Sequence, residues 1–165
     1  LGIVHSDLGD PRKAIEFYQQ ALPIAKEIGD RRSEGNALGN LGRDYFNLGD
    51  SKKAIEFYEK ALAIAREIED KNKEGIWLDN LGQAYAKLGD PRKAIEYYEQ
   101  QLVITREIGD RRGEANALFD SSLALFELGK HSIAIENAEG ALQICEQIES
   151  PYADRVKQKL AEWRR

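Results

Sequence analysis

Between Glu34 and Leu48 the apolar residues Leu38, Leu41, Tyr45 and Leu48 recur at spacings of three and four, laying one stripe along an amphipathic helix. A second pattern follows, with Ala54, Ile55, Tyr58, Ala61, Leu62, Ala65 and Ile68 forming a wider apolar face on a helix that runs to about Ile68. Gly49 supplies a left-handed cap between the two and Asp50 an N-cap; Pro11 and Pro91 take the first helical position in the sister segments, where a missing N–H costs nothing. The whole pattern returns every 40 residues, at Leu8-Gly9-Asp10, Leu48-Gly49-Asp50, Leu88-Gly89-Asp90 and Leu128-Gly129-Lys130. A second mark keeps the same step, at Ile28-Gly29-Asp30, Ile68-Glu69-Asp70, Ile108-Gly109-Asp110 and Ile148-Glu149-Ser150. Two marks per period predict two helices per repeat and an array that grows by stacking.

The predicted division is a partial repeat over 1–30, repeats over 31–70, 71–110 and 111–150, and a capping helix over 151–165. That last helix carries Tyr152, Val156, Leu160 and Trp163 on one face, about two residues out of register with the other first helices. Leu1-Gly2 falls where Leu41-Gly42 and Leu81-Gly82 fall, in mid-helix, and the sequence has no methionine, so it reads as a piece of a longer protein. Gly42 and Gly82 each cost about 1 kcal/mol inside a helix relative to alanine, which predicts close helix contact at that point.

Composition narrows the partners. A net charge of -5 disfavours a nucleic-acid footprint or an anionic membrane surface, since both require clustered cations. No apolar run reaches the roughly 20 residues that span a bilayer. The single cysteine, Cys145, cannot form an intrachain disulfide, which points to a cytoplasmic setting. Catalytic and metal chemistry find no constellation. His5 aligns with the packing positions Tyr45 and Tyr85, His131 follows a helix cap, and Cys145 aligns with Ala25, Ala65 and Thr105. Charged residues such as Lys52, Lys53, Glu56, Glu59 and Lys60 read as solvated helix faces. No enzyme, cofactor or metal is expected.

Leu41-Gly42, Tyr45, Ala54, Tyr58 and Ala61 together resemble the tetratricopeptide signature. Repeat three offers Leu81-Gly82, Tyr85, Ala94 and Tyr98, with Gln101 in place of the last alanine. The usual repeat is about 34 residues; this 40-residue form, lengthened around Ile68 to Lys73, is similar to arrays in spindle-orientation adaptors of the Pins type and in bacterial signalling proteins. Kinesin light chains use a similar, slightly longer repeat. The resemblance implies an all-α fold: a right-handed superhelical solenoid of antiparallel helix pairs with a C-terminal capping helix. It also implies a concave groove lined by the first helices, and a protein or peptide partner.

The family's groove positions fall on Asn36, Gly39, Asn40, Arg43, Phe46 and Asn47 in repeat two, and on Ile76, Asp79, Asn80, Gln83, Ala86 and Lys87 in repeat three. In repeat four they fall on Asn116, Phe119, Asp120, Leu123, Phe126 and Glu127. The predicted peptide-binding set is Asn36, Asn40, Arg43, Asn47, Asp79, Asn80, Gln83, Lys87, Asn116, Phe119, Asp120 and Leu123. Asn40 and Asn80 lie one repeat apart with Asp120 continuing the row, and an amide that donates and accepts can hold an extended peptide by its backbone. Alternatively, the asparagines bond neighbouring helices within the scaffold. Phe119, Leu123 and Phe126 form an apolar stripe that is either a ligand hot spot or the seat of the terminal helix.

Two functions follow from the sequence: an interaction module holding a partner segment in the groove, or a structural or oligomerising spacer whose truncated first helix self-associates. The carboxylate clamp of chaperone-binding relatives is matched only at Asn80; Gly39, Arg43, Asn116 and Asp120 stand at its other places, and Asp120 repels a carboxylate. Acidic C-terminal peptides are therefore expected not to bind through such a clamp, and micromolar affinity for one in a calorimetric titration overturns this.

Overall fold

Aspartates at a 20-residue step start six of the helices. In each case the Asp carboxylate accepts the backbone N–H three residues on: Asp10 from Lys13 at 3.3 Å, Asp30 from Ser33 at 3.0 Å, Asp50, Asp70 and Asp90 from Lys53, Lys73 and Lys93 at 3.1 Å, and Asp110 from Gly113 at 2.9 Å. The computed structural model describes residues 10–165. The helices are α1 (Pro11–Glu27), α2 (Arg31–Asn47), α3 (Ser51–Glu67), α4 (Lys71–Leu88), α5 (Pro91–Glu107), α6 (Arg111–Glu127), α7 (His131–Gln147) and α8 (Tyr152–Trp163). Lys130 and Pro151, before α7 and α8, give no side-chain cap. The expectations for Leu1-Gly2, His5 and Leu8-Gly9, and most of the truncated first helix, lie outside the described residues.

Each helix packs on the next, so the chain is an all-α solenoid of antiparallel pairs, and α2 also touches α4 as α4 touches α6. The first helices of successive repeats therefore stand side by side along one face. Linkers turn through the left-handed region at Gly29, Gly49, Gly89, Gly109 and Gly129, but Glu69 and Glu149 hold φ of 55° and 53° without glycine's freedom.

Hairpin spacing is set by ring against backbone. A Cβ on Gly42 would lie 2.6 Å from a ring carbon of Tyr58, and one on Gly82 would collide with Tyr98. The glycines inferred to mark close contact do mark it. Beside each contact a second aromatic pair stacks, Tyr45 on Phe57 and Tyr85 on Tyr97, both with centroids 5.3 Å apart. Between repeats, the Trp77 ring of α4 fills the space a side chain would take at Gly39 of α2.

Some charges are not on solvated faces. Lys52, Lys53, Glu56, Glu59 and Lys60 are exposed as expected, but Glu34, Glu74 and Glu114 are only 5%, 6% and 7% exposed. Each is held by cations from two directions. Glu74 accepts from Arg66 of α3 at 2.8 Å and from Lys71 of its own helix at 3.1 Å; Glu114 accepts from Arg106 of α5 at 2.9 Å and from Arg111. Glu34 accepts from Arg31 and lies 3.8 Å from Lys26 of α1. The partner from the preceding helix makes each cluster a joint between repeats, and its burial explains why the carboxylate needs two cations.

Repeat four packs against the terminal helix α8. Phe119 is 1% exposed and shares a core cluster with Val156 and Leu160, while Phe126 stacks on Trp163 at 4.4 Å. The terminal helix thus covers the Phe119 stripe. Because the Tyr58 ring fills the space beside Gly42, Gly42→Ala is expected to destabilise the protein by about 1–2 kcal/mol, overpacking outweighing alanine's helix preference. Denaturant unfolding checks this, and an unchanged midpoint refutes the contact.

Candidate functional site

The described first helices present the groove residues in three tiers. On α2, Asn36, Asn40 and Arg43 are half-buried and Asn47 is exposed; on α4, Asp79, Asn80 and Gln83 are half-buried and Lys87 is exposed. On α6, Asn116, Asp120 and Leu123 are half-buried, but Phe119 is inside the core under α8 and presents no surface to a ligand. Neither Asn40 nor Asn80 hydrogen-bonds another described side chain or backbone group. Lys87 is engaged: its Nζ donates to the Phe46 carbonyl at 3.2 Å and lies 4.3 Å from the Phe46 ring, tying α4 to the end of α2.

At the C-terminal end the groove deepens into a pocket of about 790 Å³ between α4, α6 and α8, which brings together Gln83, Asn116, Asp120 and Leu123. A second cavity of about 160 Å³ shares the lining residues Arg112 and Asn116 with it and is bordered by Asp79 and Gln101. Asn40, Arg43, Asn47, Asn80 and Lys87 line neither cavity. The predicted set is therefore a shallow row at one end and a deeper, open-mouthed pocket at the other.

The deeper pocket is electrostatically unusual. Burial, with the nearby charge of Asp120, pushes the Asp79 carboxyl up to about 7, although the amides of Gln101 and Gln83 pull it down. Burial pushes Asp120 up to about 6 against the opposing charge of Arg155. Gln83 Nε2 donates to Asp79 Oδ2 at 2.9 Å; the Gln101 amide also approaches the carboxylate, but Asp79 Oδ1 accepts no close hydrogen bond. Tyr98, in the pocket wall, is pushed up by burial and by the charges of Asp120 and Asp79, and Tyr152 is pushed up to about 12 by burial and by Asp120. Arg155 sits at the rim, its guanidinium 5.6 Å and 5.2 Å from the Phe119 and Tyr152 ring centroids.

Sequence reasoning missed Tyr98, Gln101, Tyr152 and Arg155 as lining residues. Gln101 carried a signal: it stands where Ala61 and Ala141 stand, and a polar side chain at a small-residue core position needs a reason. Tyr152 and Arg155 carried none, because the capping helix is out of register with the repeats.

The tetratricopeptide repeat model matches residues 1–67, 33–102 and 73–147. The chain belongs to the tetratricopeptide repeat family. A 34-residue stretch is 50% identical to human G-protein-signaling modulator 1, covering 21% of this chain and 5% of that protein. Among solved structures, the apo form of RapI matches with a TM-score of 0.92 at 17% identity over 98% of this chain and 60% of that one. BtubC from P. vanneervenii matches at 0.88 with 23% identity over 99% and 68%. A putative kinesin light chain from Podosopora anserina matches at 0.80 with 20% identity over 98% and 81%. At these identities the likenesses are of fold. Tetratricopeptide arrays are in general protein-interaction modules and typically not enzymes. Among the described residues no group of three or more metal-ligating side chains occurs, and no helix is long and apolar enough to cross a membrane.

The raised carboxyls make stability depend on pH in a definite direction. The folded array holds these protons to higher pH than the unfolded chain, so stability falls as pH rises from about 4, the ordinary carboxylate range, to about 7. The melting temperature is expected to be higher at pH 5.5 than at pH 8. Asp79→Asn should raise it at pH 8 and flatten the profile, each kcal/mol appearing as roughly 2–4 °C. A melting temperature that rises with pH across this window contradicts the assignment.

Proposed function

We propose that this tetratricopeptide array holds an extended segment of a partner protein in its concave groove, gripping the segment chiefly by its backbone. The observation that carries this reading is the pair Asn40 and Asn80. They lie on the adjacent helices α2 and α4, half-exposed, and their amides are not used by the scaffold among the described residues. Were they scaffold residues, each would hydrogen-bond a neighbouring helix. A backbone amide repeats along an extended strand regardless of sequence, so a row of such side chains gives affinity, and pockets beside the row give selectivity. Asn36, Arg43 and Asn47 flank the row on α2; Gln83, Asn116, Asp120 and Leu123 form its deeper end.

A cytoplasmic setting agrees with the single buried thiol of Cys145. The match to G-protein-signaling modulator 1 supports a place in a signalling adaptor.

The test is selection of binders from a displayed peptide library, followed by affinity measurement against the wild type and the Asn40→Ala, Asn80→Ala double variant, after both are shown to melt alike and to be monomeric by light scattering. Two lost backbone hydrogen bonds, one from each asparagine, at about 0.5–1.5 kcal/mol each should weaken the binders roughly 5- to 150-fold. Binders of undiminished affinity, or no binders at all, refute the reading.

A further inference from the structure

Asp79 and Gln101 are polar only in repeat three. Where Asp79 stands, the neighbouring repeats have Gly39 and Phe119; where Gln101 stands they have Ala61 and Ala141. In an array so nearly repetitive, two departures that line one cavity form a unit. Gln101 is 4% exposed and its Oε1 has no hydrogen-bond donor; the Asp79 carboxylate is approached by the Gln83 and Gln101 amides, yet its Oδ1 accepts no close hydrogen bond. Asp120, which replaces the asparagine of Asn40 and Asn80, lines the larger pocket and takes part in no ion pair or hydrogen bond with the described residues. Acceptors gathered in one place without donors carry a cost that the scaffold elsewhere avoids. Buried Glu34, Glu74 and Glu114 each have two cations, and Asp79 and Asp120 have no cation within ion-pair distance.

We propose that the C-terminal end of the groove is a subsite for a basic side chain of the bound segment, best an arginine, whose guanidinium supplies the donors missing at Asp79, Gln101 and Asp120. The inference rests on the groove-binding reading and names what that groove selects. A guanidinium suits the site because it offers five N–H donors in a fixed plane and no acceptor, so it meets carboxylate and amide oxygens without leaving a lone pair unmatched. The pocket of about 790 Å³, lined by Asp120 and Leu123, takes the side chain, and its wall at Arg112 and Asn116 is shared with the 160 Å³ cavity that Asp79 and Gln101 line, so a head at that wall faces all three. The rim arginines do not fill this role. Arg155 is exposed and held over the Phe119 and Tyr152 rings, and Arg112 is exposed on the first turn of α6. Charges exposed to water are screened, whereas the half-buried carboxylates are screened much less.

The experiment is a titration followed by ¹H–¹⁵N NMR, with capped pentapeptides Ser-Ala-Xaa-Ala-Ser in which Xaa is arginine, lysine or the neutral isostere citrulline. The arginine peptide is expected to bind at least tenfold tighter than the citrulline peptide and to shift the side-chain amide signals of Gln101, Gln83 and Asn116. Asp79→Asn with Asp120→Asn should bring the arginine peptide to the citrulline level, in a protein whose melting shows that it is folded. Equal binding of the arginine and citrulline peptides, absence of arginine-peptide binding, or discrimination that survives the double aspartate variant overturns the subsite. The Asn40→Ala, Asn80→Ala variant separates the two readings. It should weaken the arginine and citrulline versions of longer, library-selected binders alike. If it leaves both unaffected while arginine is still preferred, the backbone row fails and the basic subsite stands.

Discussion

The architecture depends on how closely the two helices of a hairpin approach at Gly42 and Gly82. With no side chain there, the Tyr58 and Tyr98 rings lie directly on the backbone of the preceding helix, and the hairpin becomes a thin, rigid slab. Slabs of equal thickness stack at constant pitch, which brings α2, α4 and α6 side by side and makes a continuous concave face possible. In repeat four Ser122 and Ala138 replace the glycine and the tyrosine, both fully buried. The large ring is exchanged for small residues on both helices, and the out-of-register α8 follows.

Between slabs, the joining force is different in kind. Trp77 against Gly39 supplies shape, and the clusters on Glu34, Glu74 and Glu114 supply charge that must be paired once it is buried. A carboxylate wedged between two helices of adjacent repeats tolerates only a stacking that keeps both cations in reach. Its main contribution is therefore to geometry: it fixes register between repeats more than it adds to net stability.

Much of this was legible because repetition turns one sequence into several aligned ones. The apolar spacing from Leu38 to Leu48, the Asp caps and the mid-helix glycines each appear at a fixed step, so every inference had three chances to fail. The buried glutamates were equally periodic and yet were missed, because Glu34, Glu74 and Glu114 sit among many solvated charges and periodicity alone does not separate paired from hydrated carboxylates. The deeper pocket was legible only in part. Asp79 and Asp120 fell on expected groove positions, but their meeting with Gln101 from α5 and with Tyr152 and Arg155 from α8 is a tertiary fact. Phe119 shows the converse: its position belongs to the groove by alignment and to the core by structure, because the out-of-register α8 lies across it.

Glu149 gives that last helix a particular character. It is one of two non-glycine residues held at positive φ among the described residues, and the helix it leads into starts at Pro151 with only a long hydrogen bond of 3.3 Å from the Tyr152 N–H to Ser150 Oγ. Backbone strain leads into a helix that packs on its predecessor less extensively than any other consecutive pair among the described helices, so the free energy of local opening is lowest there. The wall of the deep pocket formed by Tyr152 and Arg155 is thus hung on the least cooperative joint of the array. Its exchange with solvent would be faster than that of any interior hairpin, and a guest seated against it would slow that exchange without a change in fold.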